Sequence, residues 1–322
     1  MRHAVLVASS LLLDQRAEWD DGYELVTPAK LASGDSPVAA EGIDVIVTMG
    51  DALDSALVAS LPRLRLVACF STGYAGIDVA ALRARGIALT TAAGVNAHDV
   101  ADHAIALLLA WWHGIPAADR AVREGHWRTN LPPRASLRGR RAGIVGLGRI
   151  GLHIARRAES LGLSVQWWGP HDKPEAGYPR APDLLSLARD SDILFVASRA
   201  LTQNAGQIDA RVLAALGRDG VLVNVSRGLL VDEQALRHAL EQRTLGGAAL
   251  DVFAAEPIDA GQWAGFDNVV LTPHIAGATR EAGVAMYGQL RENLRRHFAG
   301  QPLLTPVEVL SSKLPTGTNA GE

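Results

Sequence analysis

Residues 143–151 read Gly-Ile-Val-Gly-Leu-Gly-Arg-Ile-Gly, and no other stretch constrains the fold so strongly. The apolar lead-in 142–145 has the look of a short buried strand, and 152–158 has helical character. Between them Gly146, Gly148 and Gly151 set a G-x-G-x-x-G spacing. In a strand–turn–helix unit the first glycine allows a tight turn. The second lets the backbone approach a pyrophosphate, and the third lets the helix pack close to the strand. The helix N-terminus adds unpaired N–H groups and a positive dipole end. Arg149 and Ile150, which lie between the second and third glycines, join them as expected cofactor-binding residues. Such a fingerprint usually opens a chain. Here it lies mid-chain, so another folded unit must precede it.

A chain of 322 residues favours two domains. Its net charge of −3, with both signs interspersed, gives no basic footprint for nucleic acid and no polybasic membrane anchor. The one cysteine, Cys69, lies in the apolar run 66–70 and reads as a buried strand residue. It allows neither an internal disulfide nor a cysteine-based zinc site, which suits a reducing, cytoplasmic setting. Residues 1–8 read as a first strand, not as a secretory signal. The longest apolar stretch, 104–112, is too short to span a bilayer.

Strand and helix patterns alternate along the whole chain. Strands are expected at 4–7, 45–49, 66–70 and 88–90, with helices at 55–60 and 79–85 between them. An apolar helix follows at 99–112. Strands are then expected at 142–145, 165–168, 193–196, 221–224, 248–250 and 269–271, alternating with helices at 151–162, 184–189, 209–216 and 232–242. Residues 279–298 form one long helical pattern. The implied fold class is α/β in two domains, each a doubly wound parallel sheet. The long helix would carry the chain back to its first domain. The cofactor domain, 98–287, is then inserted between 1–97 and 288–310, and the polar tail 311–322 is expected to be disordered.

Doubly wound sheets place ligands at the carboxyl ends of their strands. Three such ends carry titratable residues: Asn224-Val225-Ser226-Arg227-Gly228, the run from Asp251 to Glu256, and Thr272-Pro273-His274. Arg227, Glu256 and His274 suit hydride transfer to a carbonyl beside a carboxylate. An arginine can hold the carboxylate bidentately and polarise the carbonyl oxygen. A histidine can give the proton that the new alkoxide needs, and a neighbouring carboxylate favours the imidazolium and orients it. Taken singly, each residue has a plainer reading as a surface or structural group; together they do not.

The ordered set of motifs resembles the D-isomer-specific 2-hydroxyacid dehydrogenase family over roughly residues 4–310. The matching segments are Ser71-Thr72-Gly73-Tyr74-Ala75-Gly76-Ile77-Asp78, the glycine fingerprint, 224–228, and 251–256 followed by 272–274. Residues 99–102 with 120–127 resemble the branch of hydroxyphenylpyruvate, hydroxypyruvate and glyoxylate reductases. The resemblance implies a Rossmann cofactor domain inserted into a flavodoxin-like substrate domain, with a small 2-keto or 2-hydroxy acid bound between domains. It further implies that Arg227 binds substrate, Glu256 partners His274, and His274 is the acid/base. By the same resemblance Asp251 meets the nicotinamide carboxamide, and the amides of Gly73 and Tyr74 receive the substrate carboxylate. The excursion 114–138, with Trp127, resembles a dimer arm, so a homodimer is expected.

Two departures stand out. Ala75 replaces the Asp or Asn that commonly follows Gly73-Tyr74, and Arg199-Ala200-Leu201-Thr202 replaces a Pro-Leu-Thr form. Arg199 either reaches the adenosine end of the cofactor, with Thr202 nearby, or is a solvated cation.

Dehydrogenases that prefer NAD carry an acid at the end of the second Rossmann strand. This chain has Gly169 there, followed by Pro170-His171-Asp172-Lys173. A 2′-phosphate would meet no repulsion from Gly169, and His171 and Lys173 offer donors. Asp172 is either an offset to that charge or a displaced ribose acid. The balance favours NADP(H), with NAD(H) as the alternative. Metal catalysis is not expected, because His98 and His103 are five apart, one beyond the i,i+4 spacing that aligns ligands on a helix. The rival readings are a dinucleotide-sensing corepressor on the same scaffold, or a phosphoglycerate-type dehydrogenase. A formate enzyme fits less well, since Glu256 stands where those have an amide.

Overall fold

Apolar strands buried on both faces need helices on both sides, and the chain meets that need twice. The computed structural model describes residues 2–50, 52–74, 76–128 and 133–307. Ala75, Pro132 and the tail 311–322 lie outside the described residues. The structure divides into two compact units, residues up to Val95 together with those from Gly283 on, and Asn96–Ala282.

The first unit runs β1 (Ala4–Val7), α1 (Ser10–Asp14), β2 (Glu24–Val26), α2 (Pro28–Ser33), β3 (Ile43–Thr48), α3 (Ser55–Ala59), β4 (Leu66–Cys69), α4 (Val79–Ala84) and β5 (Ala88–Thr90). All pairings are parallel, in the order β2-β1-β3-β4-β5, which is the flavodoxin-like order. Strands β1 and β4 are buried at every position. The sequence pattern missed β2, α1 and α2. Strand β2 has three residues, of which only Val26 is buried, so no periodicity could mark it. The chain returns to this unit at its far end. Val307 N donates to Leu89 O at 2.8 Å, and Pro306 bridges antiparallel to Thr90.

The second unit runs α5 (Ala97–His113), α6 (Ile115–Arg123), β6 (Arg141–Val145), α7 (Arg149–Ser160), β7 (Ser164–Trp168), α8 (Leu184–Arg189), β8 (Ile193–Val196), α9 (Ala210–Leu216), β9 (Val221–Asn224), α10 (Glu233–Glu241), β10 (Gly247–Leu250) and β11 (Val269–Leu271). Helix α11 (Arg280–Phe298) then leads into the residues of the first unit. The sheet order is β11-β10-β9-β8-β6-β7, all parallel. Beyond β7, Arg180 makes a single parallel bridge to Trp167, with Trp167 N donating to Pro179 O (3.0 Å) and Ala181 N to Trp167 O (2.8 Å). Counting that bridge as a vestigial third strand restores the Rossmann order 3-2-1-4-5-6, extended by one strand.

Alternation along these strands divides the core in two. Ile144, Phe195 and Val223 face the layer of α5 and α7, whereas Val145, Leu194, Val196 and Leu222 face that of α8–α10. Each side chain fully withdrawn from water contributes about 1.5–3 kcal/mol. Helices α8, α9 and α10 each start behind an aspartate, Asp183, Asp209 or Asp232, whose carboxylate accepts a backbone N–H of the first turn. These caps set where each crossover helix begins, and so where each strand-end loop must turn. Among the described residues no helix is long and apolar enough to cross a membrane.

Candidate active site

Each glycine of the fingerprint has its own physical reason. Gly146 sits at φ +91°, and a Cβ there would collide with the backbone and side chain of Ser198. A Cβ on Gly151 would strike the Gly146 carbonyl oxygen, so a side chain would force α7 away from the turn. A Cβ on Gly148 would meet nothing within 4 Å. That open face, at the residue capping α7, is a cradle that backbone amides can offer to a phosphate, with Arg149 and Ile150 next in the helix. The residues present fit a dinucleotide.

At the end of β7, Gly169 O accepts from Arg180 Nη2 at 2.7 Å, and the Arg180 guanidinium lies over the Trp167 ring, 5.7 Å from its centroid. Lys173 Nζ donates to Leu147 O, within the glycine turn, at 2.8 Å. Asp172 Oδ1 accepts from Lys173 N at 2.9 Å, and His171 is exposed. Sequence reasoning found Lys173 and missed Arg180, which lies eleven positions after Gly169 and reaches it only through the vestigial strand. Partial burial pushes the Arg199 guanidinium below its usual value. Asn204 clasps its loop, donating from Nδ2 to Arg199 O (2.9 Å) and accepting from Leu201 N at Oδ1 (2.7 Å). Thr202 opens the short 3-10 turn that follows.

The three charged residues read from the strand ends come from the exits of β9, β10 and β11. His274 Nδ1 lies 2.6 Å from Glu256 Oε2, and Glu256 Oε1 accepts from Phe253 N at 2.9 Å. The glutamate thus folds its own loop and holds the ring. Burial pushes the Arg227 guanidinium down, and the negative charge of Glu256 opposes that shift. Arg227 Nη1 donates to Ser226 O at 2.6 Å. Asn224, only 1% exposed, accepts from Ser226 N (3.1 Å) and donates to Arg227 O (3.1 Å), which fixes the turn that aims the arginine. Gly228 must be glycine, because a Cβ there would collide with the carbonyl of Phe253. That contact keeps the Arg227 and Glu256 loops together.

His274 has φ +56°, in the left-handed region that non-glycine residues seldom enter. The loop around it is pinned at every N–H it owns. Thr272 N donates to Leu250 O (2.9 Å), His274 N to Asp251 O (2.9 Å), Ile275 N to Asp251 Oδ1 (2.9 Å) and Ala276 N to Asp251 Oδ2 (2.9 Å). Pro273 has none to give. Asp251, 1% exposed, is therefore a hub of this loop. His103 Nε2 meets Thr272 Oγ1 at 2.9 Å, and the His98 ring lies tilted against that of His153 with centroids 3.8 Å apart. Among the described residues no group of three or more His, Cys, Asp or Glu could hold a metal.

In the first unit, Gly73 O accepts from Ser71 Oγ at 2.5 Å and Tyr74 O accepts from Ile77 N at 3.0 Å. The Tyr74 side chain packs against that unit's apolar core. The excursion after α5 begins with α6, which buries none of its residues. Ile115, Val122 and Trp127 are 53%, 51% and 74% exposed.

Comparison with known proteins identifies the family of this fold. Residues 105–276 match the model of the D-isomer specific 2-hydroxyacid dehydrogenase, NAD binding domain. The chain is 42% identical to a glyoxylate/hydroxypyruvate reductase A of Arabidopsis thaliana, over 79% of this chain and 82% of that one. It is 40% identical to a hydroxyphenylpyruvate reductase of Plectranthus scutellarioides, over 83% and 86%. Its fold matches the crystal structure of an NADPH-dependent glyoxylate/hydroxypyruvate reductase from Sinorhizobium meliloti in complex with NADP and malonate, with a TM-score of 0.85 at 36% identity over 95% and 97% of the two chains. The chain belongs to the D-isomer-specific 2-hydroxyacid dehydrogenase family and is an NAD(P)-dependent 2-keto acid reductase of the glyoxylate/hydroxypyruvate type.

Proposed function

We propose that the protein reduces small 2-keto acids, of the glyoxylate, hydroxypyruvate or hydroxyphenylpyruvate kind, to D-2-hydroxy acids with NADPH, and that His274 is the proton donor. The observation that carries the reading is the His274–Glu256 pair at 2.6 Å on a fully pinned loop. With Nδ1 committed to Glu256, Nε2 is the nitrogen available for proton transfer. Arg227, aimed by Asn224, holds the substrate carboxylate and polarises the carbonyl. The dinucleotide, held by Gly146, Gly148, Arg149, Ile150 and Gly151, supplies the hydride. Asp251 Oδ2, which takes one bond from Ala276 N, retains a lone pair for a carboxamide N–H. The preference for NADPH rests on Gly169, which brings no carboxylate, and on the cations Lys173 and Arg180 anchored around it. His171, Arg199 and Thr202 complete the adenosine side. The NADPH dependence of the Sinorhizobium relative supports this choice.

The test is a panel of glyoxylate, hydroxypyruvate and hydroxyphenylpyruvate, run with NADPH and NADH in parallel, with His274→Asn as control. Asparagine tolerates the left-handed backbone, and kcat should fall by about 10²–10⁴. Intact turnover in that variant sinks the assignment. We also propose a homodimer built on α6 and Trp127, whose apolar side chains are exposed. Sedimentation of active protein as a monomer refutes it.

A further inference from the structure

We propose that His103 is a positioning residue that holds the His274 loop in register through Thr272 and Asp251. The proposal rests on the assignment of His274 as proton donor. His103 lies on α5, outside the strand ends that carry the reacting groups. Its Nε2 is 2.9 Å from Thr272 Oγ1 and 3.5 Å from Asp251 Oδ1.

The direction of the bonds follows from counting protons. Thr272 Oγ1 has one hydrogen, and it lies 2.6 Å from Asp251 Oδ1, a carboxylate oxygen that only accepts. The hydroxyl proton goes there, which leaves Oγ1 only lone pairs to offer to His103. Nε2 of His103 therefore carries a proton and donates it. The chain runs from His103 Nε2–H to Thr272 Oγ1–H to Asp251 Oδ1, and Asp251 in turn accepts from Ile275 N and Ala276 N.

These contacts bracket His274 on both sides in sequence, and its own N–H is held by Asp251 O. A residue at φ +56° keeps its place only while its surroundings over-determine it. Without the His103 donor, Thr272 Oγ1 loses its one fixed donor and can rotate away from Asp251. The carboxylate then loses one of three anchors on the loop. A ring displaced by about 1 Å can cost about 10²-fold in rate while binding is retained. His103 thus acts on kcat through geometry, by way of Thr272 and Asp251.

The experiment compares His103→Leu, His103→Gln, Thr272→Val, Thr272→Ser and the double variant His103→Leu/Thr272→Val, with wild type and His274→Asn alongside. The full chain is assayed with saturating NADPH and varied hydroxypyruvate. His103→Leu should lower kcat by about 10- to 100-fold and leave KM within about threefold. His103→Gln, whose amide N–H can donate to Thr272 Oγ1, should recover most of the loss. Thr272→Val should match His103→Leu, Thr272→Ser should stay near wild type, and the double variant should be no worse than Thr272→Val alone.

The proposal is overturned if His103→Leu keeps kcat within about twofold while His274→Asn is inactive. It is also overturned if His103→Gln is as impaired as His103→Leu, or if the two losses add. If His103→Leu does not fold, the Thr272 pair decides: equal activities of Thr272→Val and Thr272→Ser overturn the proposal. An active His274→Asn condemns the proton-donor assignment, a separate failure.

Discussion

Replacing Gly169 by aspartate should raise the preference for NADH over NADPH, and the structure sets the size of the change. Gly169 does not occupy the positive-φ region, so a side chain is allowed by its backbone. A Cβ would approach Cζ3 of Trp167 at 3.3 Å, which that ring can accommodate by yielding a few tenths of an ångström. The new carboxylate would stand beside the Arg180 guanidinium, already bonded to Gly169 O at 2.7 Å. It would accept ribose hydroxyls, repel a 2′-phosphate and draw Arg180 into an ion pair. Unit charges about 4–5 Å apart at an effective dielectric of about 20 interact by about 3–4 kcal/mol. Screening around the exposed Arg180 roughly halves that. Loss of one charge-assisted hydrogen bond from Arg180 adds about 1.5–2 kcal/mol. The sum, about 3–4 kcal/mol, is a shift of about 10²- to 10³-fold in the NADPH/NADH ratio of kcat/KM. Initial rates with each cofactor at several concentrations measure it, and Arg180→Ala should produce about a tenfold part of the same shift. A ratio that moves by less than about threefold in Gly169→Asp, in a protein of unchanged Tm, refutes the reasoning.

Two further outcomes follow from other parts of the molecule. Desolvation, then the neighbouring His98, Arg157 and Arg156, lower the His153 pKa below 6.5, with Asp102 opposing. The unfolded chain then binds more protons than the folded one just below pH 6.5, so stability is whole above that value and declines as pH falls through it. In His153→Gln, urea midpoints at about pH 7.5 and 5.5 should lie closer together than in wild type, and an undiminished gap counts against this. Gly228→Ala should cost at least about 1–3 kcal/mol, because the clash is with backbone that cannot swing aside. It should also lower kcat by separating the Arg227 and Glu256 loops, and a variant with wild-type Tm and kcat contradicts the packing account.

The legible parts of this sequence are those where one physical demand dictates residue type. Buried parallel strands such as Ile193–Val196 must be apolar throughout, and the glycine turn admits no Cβ at Gly146 or Gly151. The helix caps announce themselves as aspartates ahead of apolar runs. Strand β2 was not legible, since an edge strand of three residues buries too little to leave a pattern. Arg227, Glu256 and His274 were legible because they interrupt apolar strand ends in a shared order. The residues that aim them were harder to see. Asn224 and Gly228 lie inside a recognised segment, but their jobs depend on contacts with Arg227 O and Phe253. The spacing of His103 marks it as a poor metal ligand and gives no hint of the bond it makes. Its partner Thr272 is 169 positions away, so no local pattern could show the bond.

The vestigial third strand has a consequence for how this enzyme can change. Arg180 and Pro179 are exposed, and of the segment 179–181 only Ala181 is buried. The cation that we assign to the 2′-phosphate thus sits on backbone joined to the sheet at a single bridge, while Arg227 leaves β9, an interior strand buried at every position, and the His274 loop is held by the buried Asp251 at the exit of β10. Substitutions at 180 fall on an exposed side chain, whereas those at 228 meet the Phe253 backbone and those at 272 break bonds to His103 and Asp251. Cofactor choice and the chemistry of reduction are therefore separable under mutation. A lineage can cross between the two nicotinamide pools by altering a few residues at this edge of the sheet, without passing through an unstable fold.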